Sequence, residues 1–361
     1  MQILVVNAGS SSIKLRLLDA KDKVVFARDL DAGGLTGHED LGAAVGGLDV
    51  DAVGHRVVHG GRRFSGAAVV TDDVQRQIAS LEELAPLHQA ASLEGIAHAR
   101  RVFPDRPHVA CFDTAFHSTM PEAASTYAVP SHWREDLGIR RYGFHGLSHA
   151  YVSGRSAEMI GRPVDSIRIV TCHLGAGASL AAVVGGRSVD TTMGFTPLEG
   201  LVMASRSGSI DPSIPLWLQD RGLPLADVRE SLERGSGLVG LAGTADMRQI
   251  LGRAAQGDER AVLARDIYVH ALAGGIARMA ASMRGIDALV FTGGVGERSS
   301  EIRARASDGL GFLGVRLDES RNRKAAGDVD ISAAGAGARA LVVQAREELQ
   351  IAREIRELLF Q

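Results

Sequence analysis

Three glycine-bearing stretches each follow an apolar run: Asn7-Ala-Gly-Ser-Ser-Ser12, His173-Leu-Gly-Ala-Gly-Ala178 and Gly293-Gly-Val-Gly-Glu297. Glycine at such corners lets a ligand approach the main chain closely, and N–H groups freed there bind phosphate oxygens. The first corner leads into a strand pattern carrying Lys14. It is not a P-loop, because no G-x-x-x-x-G-K-[ST] occurs and no clear helix follows. The third corner opens a helical pattern, whose positive end favours an anion. Together the three corners point to a nucleotide held between two domains.

Phosphoryl transfer needs cations around the moving group, since little covalent chemistry is asked of the protein. Three basic residues stand among small and apolar neighbours rather than on a charged face. They are Arg56 in "GHRVVHGG", Arg206 in "MASRSGSIDP" and His145 in "YGFHGLSH". Any one of them alone could be an ordinary surface residue. Asp113 ends the apolar run "VACF"; there it could take a proton, align a nucleophile, help hold a metal, or simply cap "DTAF". His145 and His149 stand four apart, as zinc ligands on a helix would, but no H-E-x-x-H accompanies them and zinc is disfavoured. "GSGLVG" (235–240) matches G-x-G-x-x-G by letter. It follows the polar helix-like "DVRESLERG" instead of a strand, so the dinucleotide-binding context fails.

The elements that must position these residues show periodicity. Residues 3–6 read as a buried strand, "KLRLLD" alternates, and "AKDK" turns into "VVFARDL": a β-meander. A second such passage starts near 167, in "IRIVTCHLGAGASLAAVVGGRSVDTT". Gly9 and Gly175 hold matching places, so one unit looks used twice; chance likeness of two glycine-rich hairpins is the alternative. Residues 51–61 and 107–116 read as strands, and 88–103 as a helix. Residues 258–285 form a long helical pattern broken near Gly274-Gly275. The segment 286–310 reads strand, glycine loop, helix, and the tail "REELQIAREIRELLF" is amphipathic and helical. No low-complexity linker separates the halves, which predicts a tight interface.

The bulk composition narrows the class. With 361 residues, two domains are the natural prior. Hydrophobic residues at 45% and charged residues at 23% are ordinary for a soluble globular protein. A net charge of −3 suggests no nucleic-acid or anionic-membrane partner. No apolar run approaches the ~18 residues of a membrane span, and "MQILVVN" lacks a basic signal-peptide region. Cys111 and Cys172, the only cysteines, lie in apolar runs. They read as buried thiols of a cytoplasmic protein.

Taken together, the chain closely resembles the acetate kinase family of the actin/sugar-kinase/Hsp70 superfamily. The blocks that carry the likeness are "NAGSSSIK", "HRVVHGG", "LAPLH", "FDTAFH", "YGFHGLSHAYV", "HLGAGAS", "TPLEGLVMASRSGSIDP", "FTGGVGE" and "EELQIARE", in the family's order from residue 5 to residue 354. The resemblance implies an α/β protein with a duplicated ribonuclease H-like fold: two actin-like ATPase domains with the active site in the cleft between them. The expected division is 1–117 plus 350–361 for the N-terminal domain and 118–349 for the nucleotide-binding domain. The implied reaction is reversible in-line transfer of the ATP γ-phosphoryl group to acetate, giving acetyl phosphate and ADP.

Residue by residue, the resemblance implies that Asn7 and Glu347 help hold Mg²⁺, with Mn²⁺ as a substitute. Ser10, Ser12 and Lys14 would meet the nucleotide phosphates. His173, Leu174, Gly175, Ala176 and Gly177 would face the same phosphates. Asp246, Met247 and Arg248, with Gly294, Val295, Gly296, Glu297 and Arg298, resemble the adenosine-side segments. Arg56 would pair with the substrate carboxylate, whose planar shape a guanidinium fork suits. Val58, Leu87, Phe144 and Pro197 match the methyl pocket. Arg206 and His145 resemble transition-state stabilisers, and Asp113 an aligning or acid/base residue. A carboxylate is already ionised at pH 7, which favours the aligning or metal-supporting role. A cytoplasmic homodimer is implied in the same way, with small carboxylate and nucleotide partners only.

The chain departs from the family pattern at Ala176, where Asn or Asp is usual, at Gln89 after His88 where Asn is usual, and at Gln249 where Asp is usual. The region 30–50 looks abbreviated. A propionate or butyrate kinase of the same fold is the nearest rival, because one methylene changes discrimination by only ~1–3 kcal/mol. A chaperone-like ATP switch leaves Arg56 and its apolar neighbours unexplained. A sugar kinase would want polar groups for hydroxyls and a catalytic base.

Overall fold

The computed structural model describes residues 1–9, 12–31, 41–84 and 86–360, with the main chain alone at 84 and 86–88. Ser10 and the Leu87 side chain therefore lie outside the described residues, as do residues 32–40 of the abbreviated stretch 30–50. The chain divides into two compact units, one of Met1–Ser118, Phe144–Tyr151 and Arg346–Gln361, the other of Thr119–Gly143 and Val152–Ala345. Compared with the expected division, residues 118, 144–151 and 346–349 fall with the first unit. Local bonds tie in the two longer segments. The Gly146 N–H donates to Asp113 O at 2.9 Å, and Asn7 Nδ2 donates to Glu347 Oε2 at 3.2 Å.

The first unit is built on β1 (Ile3–Ala8), β2 (Ser12–Leu18), β3 (Val24–Asp31), β4 (Ala52–Val57), β5 (Ala68–Val69) and β6 (His108–Phe112), in the order β3-β2-β1-β4-β6-β5. The second uses β7 (Arg168–Leu174), β8 (Ala178–Val184), β9 (Arg187–Thr191), β10 (Ala288–Thr292), β11 (Val329–Asp330) and β12 (Arg339–Val342). Its order, read from the β9 edge, is β9-β8-β7-β10-β12-β11. Each sheet has an antiparallel three-strand meander, two parallel additions and a short antiparallel edge strand. The duplication suspected from two hairpins thus extends to the whole sheet.

The apolar pattern explains the strands. β4 and β10 run between parallel neighbours and are buried almost throughout, as central parallel strands are. β2 alternates, with Ile13, Leu15 and Leu17 inward and Lys14 exposed. Those inward residues join Leu4, Val6, Leu41, Val53 and Ala99 in one core cluster. Val57, Ile78, Ile96 and Phe112 anchor a second. Both duplicated corners close on a glycine N–H: Gly9 to Ser12 O and Gly175 to Gly177 O, each at 2.9 Å. Cys111 and Cys172 are buried free thiols on β6 and β7.

Two helices owe their placement to glycine. Helix Glu259–Ser282 runs unbroken through Gly274-Gly275, so the expected break there is absent. A Cβ on Gly275 would stand 2.7 Å from Leu180 Cδ1. The glycine therefore serves a close approach of the helix to β8 rather than a break. Helix Glu347–Leu359 lies on β4 where Gly54 has no side chain. A Cβ there would meet Ile355 Cδ1 at 2.5 Å and Ile351 Cγ2 at 2.6 Å. That seat fixes where the helix begins, and so where Glu347 stands. Among the described residues no helix is long and apolar enough to cross a membrane.

Candidate active site

In the first unit, four residues far apart in sequence meet at the ends of adjacent strands. Arg56 lies on β4 and Asp113 just past β6, which pair in parallel. Arg56 Nε and Nη2 grip Asp113 Oδ1 and Oδ2 at 3.2 and 2.6 Å. Arg56 Nη1 stands 3.6 Å from Glu347 Oε2 and donates to Asn7 Oδ1 at 3.4 Å. Asn7 faces Lys14 across the β1–β2 ladder. The Asp113 side chain is 1% exposed, against 19% for Arg56 and 16% for Glu347.

The chain entering helix Gly146–Ile160 completes this cluster. His145 takes the left-handed conformation at φ +56°, unusual for a residue with a side chain. Its N–H is thereby turned onto the Asp113 carboxylate. Gly146 is required beside it, because a Cβ would lie 2.1 Å from Asp113 O. Strained backbone of this kind persists where surrounding contacts impose it.

Burial alone would lower the Arg56 pKa, but the charges of Asp113 and Glu347 outweigh it and hold the guanidinium charged. Burial raises the Asp113 pKa, Arg56 pulls it down, and Glu347 adds to the rise. One cation thus faces two carboxylates, which leaves the cluster negative by one charge. The donor set is a pair of carboxylates and an amide oxygen, all hard oxygen ligands. That set fits Mg²⁺, which takes one or two protein carboxylates and completes its shell with water and phosphate oxygens. Asn7 and Glu347 are the residues that would hold it.

The Arg56 fork is not open in the way expected. Asp113 occupies its Nε–Nη2 side, so a substrate carboxylate paired with Arg56 would be left the end-on Nη1–Nη2 edge, whose Nη1 also meets Asn7 and Glu347. Nearby, Phe144 is 1% exposed, and its ring meets His59 edge-on at 5.4 Å. His117 Nε2 lies 3.1 Å from Phe144 O, so its protonated nitrogen is the donor. Val58 is half-buried in the same unit. Gln89, where Asn was expected, is wholly buried. Its Nε2 donates to His59 O at 3.0 Å and Ile78 O at 3.2 Å, so the longer amide reaches two carbonyls.

In the second unit, Arg206 is half-buried, and among the described residues no carboxylate lies within ion-pair distance of it. Its Nη1 donates to Pro197 O at 3.1 Å and lies 3.7 Å from Met203 Sδ. Burial lowers its pKa, only partly offset by Glu233. A desolvated guanidinium bonded only to neutral acceptors is disposed to take an anion. The segment under it is the rejected "GSGLVG". The N–H groups of Ser236, Leu238 and Val239 donate to Ser205 O, Met203 O and Ala204 O at 3.0 Å each. Gly237, at φ +60°, has no room for a Cβ, which would sit 2.3 Å from Met203 O. The motif that failed as a dinucleotide signature is the shelf on which the Arg206 segment rests.

The second and third glycine corners adjoin. Gly293, at φ +77°, lies against the Leu174 main chain, where a Cβ would come within 2.9 Å. Ala176 O accepts from Ala204 N at 3.0 Å, tying the second corner to the Arg206 segment. His173, one residue before the end of β7, pairs with Ser179. Gly294, Val295, Gly296 and Arg298 form the short helix Gly293–Arg298. Glu297 Oε1 accepts from Gly293 N and Ala345 N, both at 3.0 Å, so that oxygen is structural. Asp246 caps helix Met247–Ala255 and is paired with Arg248 at 2.7 Å, while Met247 is buried.

Sequence reasoning missed Arg303, which is 1% exposed. It donates to Gly296 O and Glu297 O at 2.8 Å each, and to Asn322 Oδ1 and O at 2.7 Å each. Burial lowers its pKa to about 10, still charged at neutral pH. Ile302 and Ala306, apolar and four places apart on the same helix, were the hint of an inward face.

Two sheets of one repeated topology, with glycine corners at the strand ends, define the duplicated ribonuclease H-like α/β class of the actin-like ATPases. Residues 42–353 match the Acetokinase family model. The chain is 46% identical to the acetate kinase of Leifsonia xyli subsp. xyli, covering 98% of this chain and 97% of that one. It superposes on the crystal structure of Porphyromonas gingivalis acetate kinase with TM-score 0.89 and 35% identity, covering 99% of each. A propionate kinase from Francisella tularensis subsp. tularensis gives TM-score 0.90 and 37% identity, covering 98% of each. The chain belongs to the acetokinase family.

Proposed function

We propose that this chain is an acetate kinase, transferring the γ-phosphoryl group of ATP to acetate, reversibly and in line, to give acetyl phosphate and ADP. The observation that carries the reading is the Arg56–Asp113–Glu347–Asn7 cluster in a member of this family that matches its relatives over nearly their whole length. Acetate arrives ionised, so no group need remove a proton from it. The end-on edge of Arg56 orients the carboxylate, while Asp113, held by the fork and by the His145 N–H, keeps the guanidinium fixed. Val58, Leu87, Phe144 and Pro197 receive the methyl group. Arg206, which among the described residues has no carboxylate within ion-pair distance, offers its charge to the equatorial oxygens as they develop charge, with the His145 imidazole in the same role. Mg²⁺, with Mn²⁺ as substitute, supplies charge neutralisation of the phosphates when bound at Asn7 and Glu347.

On the nucleotide side, Ser10, Ser12, Lys14 and the corner His173 to Gly177 take the phosphates. Asp246 to Arg248 and Gly294 to Arg298 lie along the adenosine. Ala176 brings only main-chain groups to this corner. The likeness to a propionate kinase supports propionate as a second acceptor. Trapping acyl phosphate as hydroxamate with MgATP, across acetate, propionate and butyrate, ranks the acceptors. No product from any of them would end the reading. We further propose a cytoplasmic homodimer; the exposed run Ile214, Leu216, Trp217, Leu223 and Leu225 supports self-association. Light scattering on the eluted protein reads the mass.

A further inference from the structure

Glu199, Tyr127 and Arg141 form a closed set in the second unit. Glu199 Oε1 accepts from Arg141 Nη2 at 2.6 Å, and Glu199 Oε2 accepts from the Tyr127 hydroxyl. The hydroxyl in turn accepts from Phe195 N at 3.0 Å. Arg141 Nη1 donates to Thr192 O and Met193 O, both at 3.0 Å, and its guanidinium lies 5.3 Å from the Tyr127 ring centre. Gly194 O accepts from Tyr142 N and Gly143 N at 3.0 and 3.3 Å. Four consecutive residues, 192–195, therefore each have a main-chain group held from outside the segment. Gly194 has to be glycine here: a Cβ would fall 1.8 Å from Glu199 Oε2 and 2.2 Å from the Tyr127 hydroxyl.

Two residues beyond this pinned stretch is Pro197, whose carbonyl carries Arg206 Nη1. The Arg206 guanidinium thus leans on one side against a segment held by Glu199, and on the other rests on the 236–239 shelf. We propose that Glu199 is a positioning residue: through Tyr127 and Arg141 it latches residues 192–199 and so sets where Pro197 and Arg206 stand during phosphoryl transfer. The inference rests on the carboxylate kinase reading for its kinetic consequence, but the latch itself does not.

Tyr127→Phe removes the hydroxyl that links Phe195 to Glu199, and Glu199→Gln keeps the shape while removing the charge that Arg141 pairs with. A misplacement of about 1 Å at a reacting group can cost on the order of 100-fold in rate. Each variant is expected to lose activity on that scale, with the KM for ATP nearly unchanged and the ratio of acetate to propionate efficiency altered. Wild-type kcat with an unaltered ratio, or equal rises in both KM values, overturns the latch. Amide hydrogen exchange over 192–206, read without substrate, should quicken in both variants; unchanged exchange also overturns it. If Glu199→Gln does not fold, Tyr127→Phe, which deletes one oxygen, carries both readouts. Should the wild type phosphorylate no short carboxylate, the functional reading falls, and exchange alone decides the latch.

Discussion

Replacing Arg56 by alanine should weaken the fold in a pH-dependent way as well as impair the acceptor site. Asp113 is 1% exposed and is gripped through both oxygens. Deleting one partner of such a buried pair costs about 3–5 kcal/mol, because the other charge is left uncompensated. Here the stranded Asp113 also keeps Glu347 as a negative neighbour. It can escape only by taking a proton. In the variant its folded pKa is therefore raised above the unfolded value, so the folded state holds the extra proton. Stability then falls as pH rises, by about 1.4 kcal/mol per unit once the unfolded carboxylate has ionised. Urea unfolding at about pH 5 and about pH 8 should show the larger loss at the higher pH. Arg56→Ala combined with Asp113→Asn should regain most of the stability without regaining activity. The hydroxamate assay should show the KM for acetate rising more than that for ATP. A loss below about 1 kcal/mol, equal at both pH values, would mark an exposed pair and refute the reasoning. Equal rises in the two KM values would remove Arg56 from the acceptor site.

Arg206→Ala should lower kcat by ~10³–10⁵, the range for phosphoryl-stabilising arginines; a near-normal turnover assigns that role elsewhere. Glu347→Gln should raise the Mg²⁺ concentration giving half-maximal rate while hardly moving the KM for acetate, and an unchanged metal titration would discount Glu347 as a ligand. His117 is fully buried and its pKa is lowered to about 4 by burial. Its folded pKa lies below the unfolded value, so its neutral form stabilises the fold above pH ~6.5, and this is lost as pH falls towards about 4. At ~1.4 kcal/mol per unit the loss reaches about 3 kcal/mol. His117→Gln should flatten that acid limb in unfolding curves; an unaltered slope would show that His117 titrates alike in both states.

What the sequence made legible follows the range of each interaction. The meander around residues 3–31 and the tail helix rest on periods of two and 3.6, which neighbouring residues fix. Strand, corner and strand at 167–184 repeated that signal, so the duplication could be read. The break expected at Gly274-Gly275 fails for the opposite reason. Whether a glycine ends a helix or lets it approach a sheet is decided by Leu180, some ninety positions away in the chain. The same holds for "GSGLVG", whose use depends on the carbonyls of residues 203–205. Local spacing could reject one role for it but could not supply the other.

The Arg56 fork shows where residue types and family likeness reach their limit. A planar carboxylate and a guanidinium suit one another, and the chain provides two buried or half-buried carboxylates of its own, 57 and 291 positions from Arg56 in sequence. The nearer in space, Asp113, takes the better-shaped side. A substrate bound at Arg56, as we propose, would have to use the edge that remains, in the same field that makes the cluster one charge negative. The acceptor anion would then be drawn to Arg56 only while that excess is offset, which Mg²⁺ at Asn7 and Glu347 would do. Metal and carboxylate binding should consequently support each other. The KM for acetate measured across a Mg²⁺ series should fall as metal rises in the wild type and lose that dependence in Glu347→Gln. A KM for acetate indifferent to Mg²⁺ would separate the two sites and undo this link.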